Sequence, residues 1–157
     1  MRILKALEDF FTEDDWSFGR VENRPILRMG FSGQNGNWTC YAQAREEDEQ
    51  FLFYAICPLT IPENRRGTVS EYLTRANYGM VVGNFEMDLD DGEVRFKSSL
   101  DVQDVELSPA LVRNAVYPAA LMMDKYLPGL VAILGGKDAK DAIDEIEAED
   151  RVDLTKS

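Results

Sequence analysis

Histidine is absent from the 157-residue chain, and cysteine occurs only twice, at Cys40 and Cys57. Without histidine no side chain ordinarily titrates between pH 5 and 8, which removes the usual neutral-pH general base and the Ser-His and Cys-His nucleophile pairs. Mixed His/Cys zinc sites go too, and two thiols are too few for a thiolate cage or for the disulfide framework of a small secreted domain. No cofactor is expected and the chain reads as non-enzymatic. Positive charge is also scarce: 17 Lys and Arg stand against 29 Asp and Glu, a net charge of −12. Such a field repels phosphate backbones, and no stretch gathers the basic residues into a stripe, so neither nucleic acid nor a membrane is expected as a partner. No run approaches the ~18 apolar residues that span a bilayer. The N-terminal Met1–Phe11 segment is interrupted by Lys5, Glu8 and Asp9 and lacks a small-residue cleavage site, so it reads as part of the fold and the expected location is the cytoplasm.

What is present is apolar patterning: 45% of residues are hydrophobic. A chain of this length buries roughly 68–70% of its unfolded surface in one fold, so residues 1–147 are expected to form a single domain, with 148–157 as a flexible acidic tail. Ile3, Leu4, Leu7, Phe10 and Phe11 recur at helical spacing. Ile26 to Phe31 reads as a strand, followed by the turn-rich Ser32-Gly-Gln-Asn-Gly36 and an alternating strand from Trp38 to Arg45 whose Trp38, Cys40, Ala42 and Ala44 face the core. Gln50 to Cys57 is apolar on both faces, as in a central strand. Pro62 opens a second helix with Val69, Tyr72, Leu73 and Ala76 as its stripe. Met80–Leu89 and Glu93–Lys97 alternate around Asp90-Asp91-Gly92, a strong hairpin signal that sets Glu86 and Asp88 near Arg95 and Lys97. Ser108 and Pro109 start a helical region, apolar almost all round, that runs to Leu134; Pro118 and Pro128 are expected to kink or break it. An acidic helix over 137–147 follows. The order helix, three strands, helix, two strands, helices implies an α+β domain with an antiparallel sheet of about five strands.

Little in this pattern carries chemistry. The acidic clusters fall in turns and exposed faces, where nothing raises a carboxyl pKa for general acid work. Gly30, Gly33 and Gly36 fit a hairpin rather than a dinucleotide fingerprint, Cys40 and Cys57 read as small apolar fillers, and Met122-Met123 as core. Large aromatics are in surplus: with Trp16, Phe18, Tyr41, Phe53, Tyr54, Tyr72 and Tyr78 beside both faces of one sheet, a single helical layer does not cover them all. Homodimerisation or capture of a partner segment would cover the rest. Trp16, Phe18, Tyr41, Phe53, Tyr72 and Tyr78 are therefore the candidate partner-binding residues.

The run Met123-Asp-Lys-Tyr-Leu-Pro-Gly-Leu-Val-Ala-Ile-Leu-Gly-Gly136, with Asp141-Ala-Ile143, Trp16 after the first helix, the strands ending at Pro58 and the helix through Tyr72 to Asn77, resembles the YbjN family of bacterial proteins, also labelled sensory transduction regulators. The most specific part is the Met-Asp-x-Tyr-x-Pro block at Met123 to Pro128. The resemblance implies a fold like the type III secretion chaperones, small acidic α+β proteins that act as homodimers and hold segments of client proteins; it brings no catalytic residues. The expected function is thus a regulatory or chaperone-like homodimer that binds an unidentified client by hydrophobic capture or strand addition, its negative field selecting basic partners. The alternative is a small-molecule sensor or a carboxylate-based enzyme with a pocket under the proline-containing helices.

Overall fold

The first helix, α1 (Arg2–Glu13), buries the five apolar residues of its stripe. Its N-terminus has no side-chain cap of its own; Glu46 supplies one from across the fold, accepting the Ile3 N–H at 2.6 Å and the Leu4 N–H at 3.2 Å. A carboxylate there satisfies orphan donors and meets the positive end of the helix dipole. The computed structural model describes residues 1–148 and 150, so the expected tail lies almost wholly outside the described residues.

After α1 come β1 (Phe18–Arg20), β2 (Ile26–Ser32), β3 (Asn37–Arg45) and β4 (Gln50–Thr60). A single 3-10 turn at Glu63–Arg65 leads into α2 (Arg66–Tyr78), then β5 (Asn84–Met87), β6 (Glu93–Asp101), α3 (Pro109–Leu134) and α4 (Ala139–Glu147). The strands form one antiparallel sheet in the order β1-β2-β3-β4-β6-β5. The fold class is as read, with one strand more than expected: β1 is three residues long, too short to show a period.

Strand alternation decides the two faces. Trp38, Cys40, Ala42 and Ala44 of β3 and Phe51, Phe53, Ala55 and Cys57 of β4 are buried beneath the helices, and β6 adds Val94, Phe96 and Ser98. Their sequence neighbours Thr39, Tyr41, Gln43, Leu52, Tyr54, Ile56, Arg95 and Lys97 lie on the opposite face and are only half-buried.

Helix α3 settles one of the two expected outcomes, because it runs through both Pro118 and Pro128 without a break. Each interior proline costs about 3 kcal/mol, yet α3 buries eleven residues, among them Val112, Val116, Met123, Leu127, Leu130 and Ile133. Each large apolar side chain buried against the sheet returns about 1.5–3 kcal/mol, which exceeds the proline penalty.

The β5–β6 hairpin forms where expected, closed by Asp88 N–H to Glu93 O at 2.9 Å and Gly92 N–H to Asp88 O at 2.8 Å. Gly92 takes φ +80°, and a Cβ there would lie 2.1 Å from the Ile61 carbonyl oxygen, so only glycine fits. The strand before it is shorter than predicted. Met80–Gly83 stay outside it, with Val81 96% exposed, and Leu89 belongs to the turn region. Asn77, at the end of α2, bonds both outward backbone groups of Phe85: its Oδ1 accepts the Phe85 N–H at 2.7 Å and its Nδ2 donates to Phe85 O at 2.9 Å. This amide stands where a seventh strand would pair.

Candidate interaction surface

The helices leave the other face of the sheet uncovered. Register sets Arg28, Tyr41, Tyr54 and Lys97 side by side across β2, β3, β4 and β6, and beside them Gly30, Thr39, Ile56, Arg95 and Glu86 on five strands. This face and the β1–β2 loop enclose an open cavity of about 1280 Å³. Arg95 lies over the Tyr54 ring, 4.5 Å from its centroid, a cation–π contact. Arg95 and Lys97 both pair with Glu86, Lys97 at 3.0 Å. Burial alone would raise the Glu86 pKa, but the hydrogen bonds and charges of Lys97 and Arg95 together outweigh it and hold the carboxyl below its ordinary range.

A smaller groove of about 590 Å³ lies at the middle of α3, between Pro118, Met122 and Tyr126 on one side and Met80, Val81 and Val82 on the other. Tyr126 donates its hydroxyl to Glu147 of α4 at 2.7 Å. Burial first, then the Glu147 hydrogen bond and charge, push the Tyr126 pKa well up, so it remains a donor at neutral pH. Behind it Tyr72 donates to the Tyr126 carbonyl oxygen at 2.7 Å. Among the described residues no group of three or more Cys, Asp or Glu is arranged to hold a metal ion. Burial pushes the Cys40 thiol up to about 12 and the Cys57 thiol up to about 11, so neither supplies a thiolate nucleophile.

The candidate residues from the sequence scatter. Phe53 and Tyr72 are fully buried and leave the set: Phe53 stacks 6.1 Å from Phe11 beneath α1, and Tyr72 is wedged against α3. Trp16 and Phe18 come together around Phe11, at ring distances of 5.4 and 6.1 Å, on the helix side and half-buried. The Trp16 indole N–H donates to Asp14 at 2.9 Å, and Tyr117 of α3 donates its hydroxyl to the same carboxylate oxygen. Tyr41 lies on the open sheet face, and of the other five only Phe18 also borders its cavity, from the β1 edge. Tyr78 is 95% exposed at the end of α2, beside the smaller groove. What the sequence reading missed is the arginine group Arg20, Arg24 and Arg28 at the cavity, which becomes a unit only when β1 pairs with β2. The alternation of Ile26, Leu27, Arg28 and Met29 marks Arg28 as outward-facing; nothing local marks the other two.

The block from Met123 to Pro128 is an anchor in the fold. Asp124 accepts the Gln34 N–H at 3.1 Å and the Asn35 N–H at 2.8 Å, while its own carbonyl accepts the Asn35 side-chain amide at 2.9 Å. It thereby pins the β2–β3 turn to α3. Met123 is fully buried, and Tyr126 ties α2 and α4 to α3.

Comparison with known proteins agrees with this arrangement. The chain is similar to the crystal structure of YbjN from E. coli, with a TM-score of 0.57 and 13% identity over 78% of this chain and 89% of the other. It is also similar to a chain of the HopA1–SchA chaperone–effector complex, with a TM-score of 0.52 and 14% identity over 79% of this chain and 91% of that one. At these identities the likeness is one of fold. No curated protein sequence matches. The sequence model of the YbjN family, described as "Putative bacterial sensory transduction regulator", matches residues 4–131. An antiparallel α+β sheet with one uncovered face, a helix that carries the Met-Asp-x-Tyr-x-Pro anchor, and a match over most of the sequence place the chain in the YbjN family.

Proposed function

We propose that this protein is a non-enzymatic, cytoplasmic interaction module, regulatory or chaperone-like, that docks an extended segment of a client protein on the open face of its sheet. The observation that carries this reading is the uncovered cavity of about 1280 Å³ floored by Tyr41, Tyr54 and Ile56. A sheet face this rich in large side chains ordinarily packs against something. The fold shared with a chain of a chaperone–effector complex supports the reading. Strand addition is favoured at the β1 edge, because Asn77 already occupies the outward backbone groups of Phe85 on the short β5. No helix among the described residues is long and apolar enough to cross a membrane.

The test places a photo-crosslinking amino acid at Tyr41, at Tyr54 and, as a control on the helix side, at Leu111, and exposes each variant to native host lysate. Adducts formed at the two tyrosine positions and absent at Leu111 are expected. Adducts at Leu111 alone would overturn the reading. The protein is further proposed to act as a homodimer through Tyr78, Val81 and Val82, an exposed apolar loop beside the smaller groove. Sedimentation of Val81→Glu should then show monomers where the parent shows dimers; a monomeric parent refutes it. The smaller groove suits a small-molecule sensor as the second reading. A ligand bound there at 100 times its Kd would stabilise the fold by about 2.7 kcal/mol in a thermal-shift screen.

A further inference from the structure

Resting on that docking role, we infer that the segment bound on the open sheet face is acidic, with carboxylates alternating with aliphatic or aromatic residues along an extended strand. This reverses the partner charge expected from the net charge of −12. The cavity is lined by four arginines, Arg20, Arg24, Arg28 and Arg95, and a single carboxylate, Glu93. In a chain where acids far outnumber bases, that local excess runs against the composition.

The state of the four arginines sharpens the point. Among the described residues Arg20, Arg24 and Arg28 have no ion pair, and the one hydrogen bond made by their side chains joins Arg20 Nε to the Arg24 carbonyl at 3.2 Å. Elsewhere among the described residues most basic side chains are engaged: Arg2, Lys5, Arg45, Arg75, Lys137 and Lys140 hold carboxylates, and Arg65 and Arg66 hold backbone carbonyls, while Arg113 on α3 stands alone, away from any cluster. On the far flank of the face Arg95 and Lys97 share Glu86, and Glu93 stands on the same face of β6, so that flank is balanced and the local excess of positive charge lies with Arg20, Arg24 and Arg28. Uncompensated like charges gathered around one cavity, with Arg28 on the sheet face and Arg20 and Arg24 at its β1–β2 rim, raise the energy of the free protein. A ligand carrying carboxylates relieves that repulsion on binding and gains bidentate contacts that arginine makes best.

Between the two charged flanks lie Tyr41, Tyr54, Ile26 and Ile56, which suit apolar side chains at alternate positions of an extended chain. The same floor disfavours a nucleic acid. Arg95 already covers one face of the Tyr54 ring, where a base would stack. The distant acidic residues are screened beyond about 8 Å at physiological salt, so a short acidic segment feels mainly the local arginines, whereas a long polyphosphate also meets the negative remainder of the surface.

The test titrates isotope-labelled full-length protein with three synthetic peptides of equal length, in which Leu and Tyr alternate with Glu, with Gln or with Lys, and with oligouridine. The amide signals of Gly19, Arg28, Gly30, Tyr41, Tyr54 and Ile56 are followed by NMR. The Glu peptide should shift these amides and bind at least about ten-fold more tightly than the Lys peptide, with affinity falling as salt rises. Replacing Arg24→Gln and Arg28→Gln together, both on the exposed surface, should weaken the Glu peptide about five- to ten-fold and leave the Gln peptide unchanged. If the Gln or Lys peptide binds these amides as tightly as the Glu peptide, the acidic specificity is refuted while the docking role stands. Tighter binding of oligouridine at the same amides would make the face a nucleic-acid site and overturn the inference. If no peptide shifts them, the docking role falls and the inference falls with it.

Discussion

Two glycines in helices should respond to alanine with opposite signs. A Cβ added to Gly129 in α3 would lie 2.0 Å from Tyr72 Oη and 2.5 Å from its Cζ. Tyr72 has nowhere to retreat: it is fully buried, its hydroxyl is bonded to the Tyr126 carbonyl at 2.7 Å, and its ring meets that of Tyr126 edge-on at 6.2 Å. Alanine gains about 1 kcal/mol of helix propensity. Against this stand about 1–3 kcal/mol of overpacking and about 1–3 kcal/mol for displacing a buried hydrogen bond. The balance for Gly129→Ala is a loss of about 1–5 kcal/mol, and at this chain length each kcal/mol lowers Tm by about 2–4 °C. Gly67 in α2 has no heavy atom within 4 Å of the point where a Cβ would stand, so Gly67→Ala should stabilise by about 0.5–1 kcal/mol. Urea unfolding followed by circular dichroism reads both. Adding Tyr72→Phe to Gly129→Ala removes the atom in closest contact and should recover part of the loss. Should Gly129→Ala stabilise as Gly67→Ala does, Tyr72 is not packed against α3 as described.

Asp124→Ala removes the acceptor for the Gln34 and Asn35 N–H groups; stability should fall by about 1–2 kcal/mol, and hydrogen exchange at those two amides should accelerate, while unchanged exchange would refute the anchor. The Glu86 pKa is lower folded than unfolded, so its contribution is present above the unfolded value, near 4.5, and is lost as pH falls through the folded one. Glu86→Gln should therefore lower stability at neutral pH and flatten the acid side of the stability profile, which denaturant melts at several pH values would show; an unaltered acid limb would count against it. Both thiols are buried, with pKa raised to about 12 and about 11. A thiol reagent at pH 8 should leave the native protein unmodified and label Cys40 and Cys57 in urea; rapid labelling of the native state would contradict the packing.

Much of the fold was legible because it rests on local periodicity. The stripe of α1, the alternation of β3 and the Asp91-Gly92 turn each specify their element within a few residues. Three features depended on distant partners and were not. Helix α3 passes through Pro118 and Pro128 because the sheet beneath it outweighs the local penalty. Strand β1 exists only through its pairing with β2. The aromatic run Phe51-Leu-Phe-Tyr54 is apolar on both faces, so pattern alone could not tell inward Phe53 from outward Tyr54, one residue apart. Tyr72 was already visible on the apolar stripe of α2, and its place there outweighs its appeal as a contact residue. Of the candidate surface Tyr41, Tyr54 and the Glu86, Arg95 and Lys97 group of the hairpin were in view; Arg20, Arg24 and Arg28 come from β1, the β1–β2 loop and β2, and tertiary pairing makes them neighbours.

The amide of Asn77 has a bearing on how far association can proceed. With the outward groups of Phe85 engaged on a four-residue β5, the more open end of the sheet is at β1. Two such sheets joined at their β1 edges would present only the short, partly occupied β5 at either outer end, which disfavours pairing beyond two copies. A chain with both edges open could instead add copies without limit, the geometry of a fibril. One side chain thus works against open-ended association, and Asn77→Ala is the change that would free the backbone of Phe85.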